Sequence, residues 1–186
     1  MRRLLPWATG AALVVAAGVV TAVTPDAGAQ NAPFLVRGAM EQTVTARNLI
    51  VRVDGATFAD RITVADDDWE AAGNWLVVDL SAAARTTEVD AELMLVKLVA
   101  DGREFIASER PSTSLVGSDL RVGLGTGGTV AFELPADVVS GAGELRLSLP
   151  YATPHLDDVI VVPLDLDGVP RTGSIDIVEP VIEGMP

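Results

Sequence analysis

The chain has 186 residues, 49% of them hydrophobic and 21% charged, with a formal net charge of −13 and no cysteine. That length allows one ordinary domain plus a targeting segment, and the hydrophobic share is too high for a disordered chain. The acidic balance, with a pI near 4.3, argues against nucleic-acid binding, which needs clustered Lys and Arg; the missing cysteine excludes disulfides, thiolate chemistry and cysteine-ligated zinc.

Arg2 and Arg3 precede an uncharged stretch that runs from Leu4 to Pro25 and is built mainly of Ala, Val, Leu and Gly. The triplet Ala27-Gly28-Ala29 follows, with small residues at its first and third positions, the pattern that signal peptidase accepts. Residues 1–29 therefore read as a signal peptide cleaved after Ala29, with an uncleaved membrane anchor over residues 4–23 as the alternative. Both readings export the remainder, because basic charge lies before the apolar run and acid after it. Cleavage removes Arg2, Arg3 and Asp26 and changes the formal charge from −13 to −14.

Residues 30–40 read as a linker with an entering strand. Strand patterns follow. Asn48–Val53 is β-rich and ends at Asp54-Gly55, a dipeptide of tight turns, after which Thr57–Val64 forms a second strand. Trp75–Leu80 is an apolar run suited to a central strand covered on both faces. Leu93–Val99 and Arg103–Ala107 flank Asp101-Gly102, the strongest hairpin signal in the chain. Thr129–Leu134 and Glu144–Leu149 alternate cleanly, Val159–Leu164 adds a strand, and Ser174–Val178 adds a last edge. Asp137–Ser140 fits a single turn, and no segment after residue 30 has the period of a three-turn helix.

Short strands between Gly, Pro and Asp turns predict an all-β fold, an antiparallel sandwich or barrel over residues 41–168 with a C-terminal tail over 169–186. The predicted core is Leu49, Val51, Val53, Ile62, Leu76, Val78, Leu80, Leu95, Leu98, Phe105, Phe132, Leu145, Leu147 and Ile160. Only half of Trp75–Leu80 can face one core, so the other half must meet a further strand, a linker or a second molecule.

Trp75–Leu80, Leu98–Phe105 and Gly128–Pro135 with Ala136-Asp137 come in an order that resembles the DUF4352, telokin-like family of exported bacterial immunoglobulin-like domains. The resemblance spans residues 41–165. It implies an immunoglobulin-like β-sandwich behind an N-terminal signal or anchor helix, and it carries no catalytic residues. Ser81–Ala84 departs from the family pattern, which has a polar turn there.

The chemistry-bearing motifs are sparse. Gly123–Gly128 matches GxGxxG, but a β-alternating strand follows it where a dinucleotide site needs a helix, so it reads as a turn and no cofactor is expected. Asp66, Asp67, Asp68 and Glu70 are candidate calcium ligands, since hard cations want several oxygens, although adjacent residues of an extended chain point alternately. Asp165-Leu166-Asp167-Gly168 begins like a calcium loop but lacks the later acidic positions. His155, with Asp157 and Asp158 near it, has no nucleophile motif to serve. Trp69 is the candidate partner contact, because interface hot spots favour Trp. The reading of function is a non-catalytic envelope module that contacts an envelope protein. The alternatives are a secreted hydrolase with a carboxylate pair and a calcium-binding module.

Overall fold

Two strands of sixteen residues each, β3 (Leu49–Val64) and β4 (Trp69–Ala84), form the spine of the protein. The computed structural model describes residues 5–24, 31–149 and 154–186. Residues 1–32 and 33–186 form two separate units.

In the first unit, Leu5–Val23 is an α-helix, α1. Ala, Leu and Val carry it, and from Trp7 onward its side chains are exposed. At 1.5 Å per residue its 19 residues reach about 28 Å, against a hydrocarbon core of about 30 Å. Among the described residues no helix is long and apolar enough to cross a membrane. The expected cleavage site after Ala29 lies outside the described residues.

The second unit is a β-sandwich. One sheet has the order β1-β9-β8-β5-β6, formed by β1 (Phe34–Arg37), β5 (Leu95–Ala100), β6 (Arg103–Ile106), β8 (Ala142–Ser148) and β9 (Asp158–Asp165). The other has the path β10-β3-β4-β7-β12, with β7 (Gly125–Leu134), β10 (Arg171–Thr172) and β12 (Val181–Glu183). Two short strands, β2 (Val44–Thr45) and β11 (Ile175–Asp176), also pair with β3. We call these the first and second sheets.

The central pairings are antiparallel, as the sequence predicts. The edges correct that expectation: β1 runs parallel to β9, and β10 and β11 run parallel to β3. The entering strand expected in residues 30–40 is Phe34–Arg37, which belongs to the first sheet.

Asp54-Gly55 is not a turn. Neither residue takes the left-handed backbone that a two-residue hairpin needs. β3 continues through them, and the register shifts between Val53 and Gly55 to absorb one extra residue as a bulge. A second shift lies between Ala59 and Arg61. The reversal comes later, where Ala65–Asp67 make one 3-10 turn and Asp68 adopts φ 50°. Asp101-Gly102 does form the predicted hairpin turn, with φ of 51° and 68°.

The main core lies between the sheets. Leu76, Val78, Leu80, Ala82 and Ala84 of β4 enter it together with Val51, Val53, Leu98, Val130, Phe132, Leu145, Leu147 and Ile160. Ser81–Ala84 continue β4 as strand, with Ala82 and Ala84 in the core. Of the predicted core, Phe105 is only partly buried, Leu95 is buried outside the main cluster, and Ile62 belongs to a second cluster.

That second cluster covers the outer face of the second sheet. It joins Ala59, Ile62, Val64, Ala71, Trp75, Val77, Ala131 and Ile177, with Trp69 and Ile175 against it. Here the other half of Trp75–Leu80 finds its cover within the same chain. The C-terminal segment begins at the β3 edge as β10 and β11, passes over the sheet at Ile177, and reaches the β7 edge as β12. Residues 169–186 are a strap with three short strands rather than a tail with one.

Candidate functional site

Asp66, Asp67, Asp68 and Glu70 sit at the β3–β4 reversal, all exposed. The structure does not gather them. Glu70 accepts from Arg61 at 2.6 Å, and Asp67 accepts the Ser112 hydroxyl. Among the described residues no three His, Asp or Glu side chains come together to hold a metal ion. The turn spreads its carboxylates around a tight loop, where mutual repulsion and hydration keep them apart.

Trp69 is half-buried at the start of β4 rather than in a loop. Its ring packs on the outer cluster, and the Arg110 guanidinium lies 5.4 Å from its centroid and 5.8 Å from that of Trp75. Arg110 is itself held by Glu133 at 2.9 Å. His155 is exposed in the turn before β9, and Arg47 occupies its acidic neighbours, Asp157 at 3.5 Å and Asp158 at 3.8 Å.

The glycines of Gly123–Gly128 have a packing role that the sequence did not reveal. Gly125–Gly128 lie in β7, not in a turn. A Cβ on Gly125 would strike the Gly184 carbonyl oxygen, and one on Gly127 would come within 2.6 Å of the Glu183 carboxylate. The absent side chains let the strap lie directly on the strand.

A groove of about 300 Å³ runs beside the strap. Asp54, Asp79, Gly127, Gly128 and Thr129 line it from the sheet, and Val178, Glu179, Val181 and Glu183 from the strap. Asp79 faces outward from β4 opposite Gly55 and Thr129. Burial, and then the Asp54 carboxylate, push Asp79 above the ordinary carboxylate range. Arg52 pairs with Asp54 at 2.8 Å, and among the described residues no cation pairs with Asp79, Glu179 or Glu183.

The basic residues are committed elsewhere. On the outer face of the first sheet, Arg37 and Arg146 meet Glu144 at 3.6 and 2.8 Å, and Arg146 and Lys97 meet Glu104 at 3.6 and 3.1 Å. Arg171 bonds Asp60 at 2.7 Å and Asn74 at 2.6 Å while lying 5.0 Å from the Phe58 ring centroid. Arg85 donates to the Ala46 carbonyl. A surface with its cations neutralised in place offers little to a polyanion.

No protein-family model matches the chain, and no curated protein sequence matches it either. Two solved structures are similar in fold. The yjhA protein from Bacillus subtilis has 12% sequence identity and a TM-score of 0.45, over 67% of this chain and 98% of that one. An uncharacterised β-sandwich protein from Clostridium difficile 630 has 9% identity and a TM-score of 0.45, over 76% of this chain and 100% of that one.

Proposed function

We propose that this chain is an exported, non-catalytic, immunoglobulin-like module of a bacterial cell envelope that works by contact with another envelope protein. The observation that carries the reading is the sheet edge at β12. This strand ends the second sheet, and Val181 and Ile182 on it are 60% and 65% exposed. An open apolar edge is a template for strand addition by a partner. Export is supported by the order of Arg2-Arg3, an apolar helix and a separate acidic unit. The immunoglobulin-like assignment is supported by two sheets whose central pairs are antiparallel around one core.

The test is site-specific photo-crosslinking in the native envelope. A crosslinker at Ile182 is expected to trap a discrete adduct that one at Val99, on the first sheet, does not. Identical labelling from both positions, or none from Ile182, overturns the contact reading. Sequencing the exported protein should give Gln30 as its first residue; an intact Met1 in the cytosolic fraction overturns export.

One observation favours a second reading, a secreted hydrolase with a carboxylate pair: Asp79, raised by burial, shares the groove with Asp54. Release of reducing sugar from a panel of envelope glycans, lost in Asp79→Asn, would establish it. No turnover with any of them removes it.

A further inference from the structure

The two halves of the strap are held very differently. In the first half, Arg171 clamps Asp60 and Asn74. Asp176 accepts from the Thr63 hydroxyl at 2.9 Å and from the Ala65 N–H at 3.1 Å. Ile177 is 1% exposed, and its carbonyl accepts the Thr113 hydroxyl at 2.6 Å. In the second half, residues 178–186, the three β12 residues are all exposed, and no ion pair or side-chain hydrogen bond ties any described residue there to the sandwich. It is held by the short ladder to Gly125–Gly127 and by the half-buried Pro180 and Pro186, which lie over Gly128 and Gly125.

That half also lies against charge of its own sign. Glu179 and Glu183 of the strap line one groove with Asp79 of β4 and Asp54 of β3, and the neighbouring β7 residues, Gly127, Gly128 and Thr129, are neutral. Arg52 is the one cation beside this group among the described residues, and it is spent on Asp54. We propose that residues 178–186 are a latch gated by pH and ionic strength, closed on β7 when the carboxylates of the groove are neutralised or screened and open when they carry full charge at low salt.

The sign follows from proton counting. Closing the latch brings Glu179 and Glu183 into one groove with Asp54 and Asp79, and like charges held close favour proton uptake, so the closed state binds more protons than the open one. Acid therefore favours closure. Salt favours it too, since the repulsion is between partly solvated charges. Opening would uncover the Gly125–Gly127 edge of β7 while Ile177 stays docked and the sandwich stays folded. This inference concerns the isolated chain and holds or fails independently of any partner.

Hydrogen exchange on the full chain tests it, at pH 7 in 20 mM and in 500 mM NaCl, and again at pH 4, within the ordinary carboxylate range, after correction for intrinsic rates. Protection of the amides in 181–183 and 125–127 should rise roughly three- to tenfold with salt and on acidification. Protection of Ile177 and of Thr63 should not change. The Asp79→Asn/Glu183→Gln variant should show the high-salt protection already at low salt, and Glu179→Gln, at an exposed position, should show part of that gain. Protection at 181–183 that ignores salt, or falls with it, overturns the latch. So does a change that spreads equally to Ile177 and Thr63.

Discussion

The Thr113 hydroxyl donates to the Ile177 carbonyl at 2.6 Å in a buried position, joining segments 64 residues apart. This bond fastens the strap to the loop between β6 and β7, directly over the outer cluster. The second sheet therefore has a core on each face, one against the first sheet and one beneath the strap.

Ile177→Ala should cost about 2–4 kcal/mol, the usual range for truncating a fully buried Ile. Thr113→Val should cost about 1–3 kcal/mol, because it leaves a buried carbonyl unpaired. Urea unfolding measures both. A loss below about 0.5 kcal/mol for Ile177→Ala, the scale of a surface change, would mean that the outer cluster is not a core.

Gly125→Ala should detach the end of the strap without unfolding the sandwich. Its new methyl group meets the Gly184 backbone carbonyl, which cannot rotate away as a side chain can. Global stability should fall by about 1 kcal/mol or less, while proteolysis after residue 181 accelerates. Cleavage at the wild-type rate would show that the strap absorbs the methyl.

Arg171→Lys should destabilise nearly as much as Arg171→Ala, by about 1 kcal/mol, since the pairs are partly exposed. Lysine keeps the charge but cannot bond Asp60 and Asn74 at once while stacking on Phe58. Thermal melts of the two variants should nearly coincide. A lysine variant as stable as wild type would mean that charge alone matters here.

Asp79 and Asp137 should show opposite pH signatures. Asp79 is raised by burial and by Asp54, so its favourable contribution is complete below its unfolded value of 3.8 and is lost as pH rises through the raised folded value. Asp79→Asn should then exceed wild type in stability at pH 7 and converge with it near pH 3. Asp137 is lowered, first by the hydrogen bond from Arg103 and then by its own backbone N–H, so its contribution is present above 3.8 and disappears as pH falls through the lower folded value. Asp137→Asn should fall below wild type at pH 7 and converge in acid. Parallel curves for the two variants would overturn whichever assignment has the opposite sign.

The inner half of this fold is legible in the sequence. Alternation marks Val130, Phe132, Leu145 and Leu147, and Asp101-Gly102 adopts the backbone that its residue types favour. Asp54-Gly55 carries the same dipeptide yet becomes a bulge, because β4 supplies partners on both sides of it. Local propensity yielded to a long ladder. The strap and the groove were less visible. Ile175 and Ile177 alternate like a lone edge, and nothing local says that the chain next crosses the sheet. The glycines of β7 were a signal for that crossing, since a strand that gives up side chains often admits another backbone. Asp54 and Asp79 are 25 residues apart in sequence and meet only through the β3–β4 register, which spacing along the chain does not encode.

Lys97 is the chain's sole lysine, and its ion pair with Glu104 sets it on the outer face of the first sheet, while β12 belongs to the second. With the N-terminal α-amine blocked, coupling through that side-chain amine would tether every molecule by the same face. An amine-reactive biosensor chip would then present the strap edge uniformly to solution, giving a ready-made orientation for measuring what binds there.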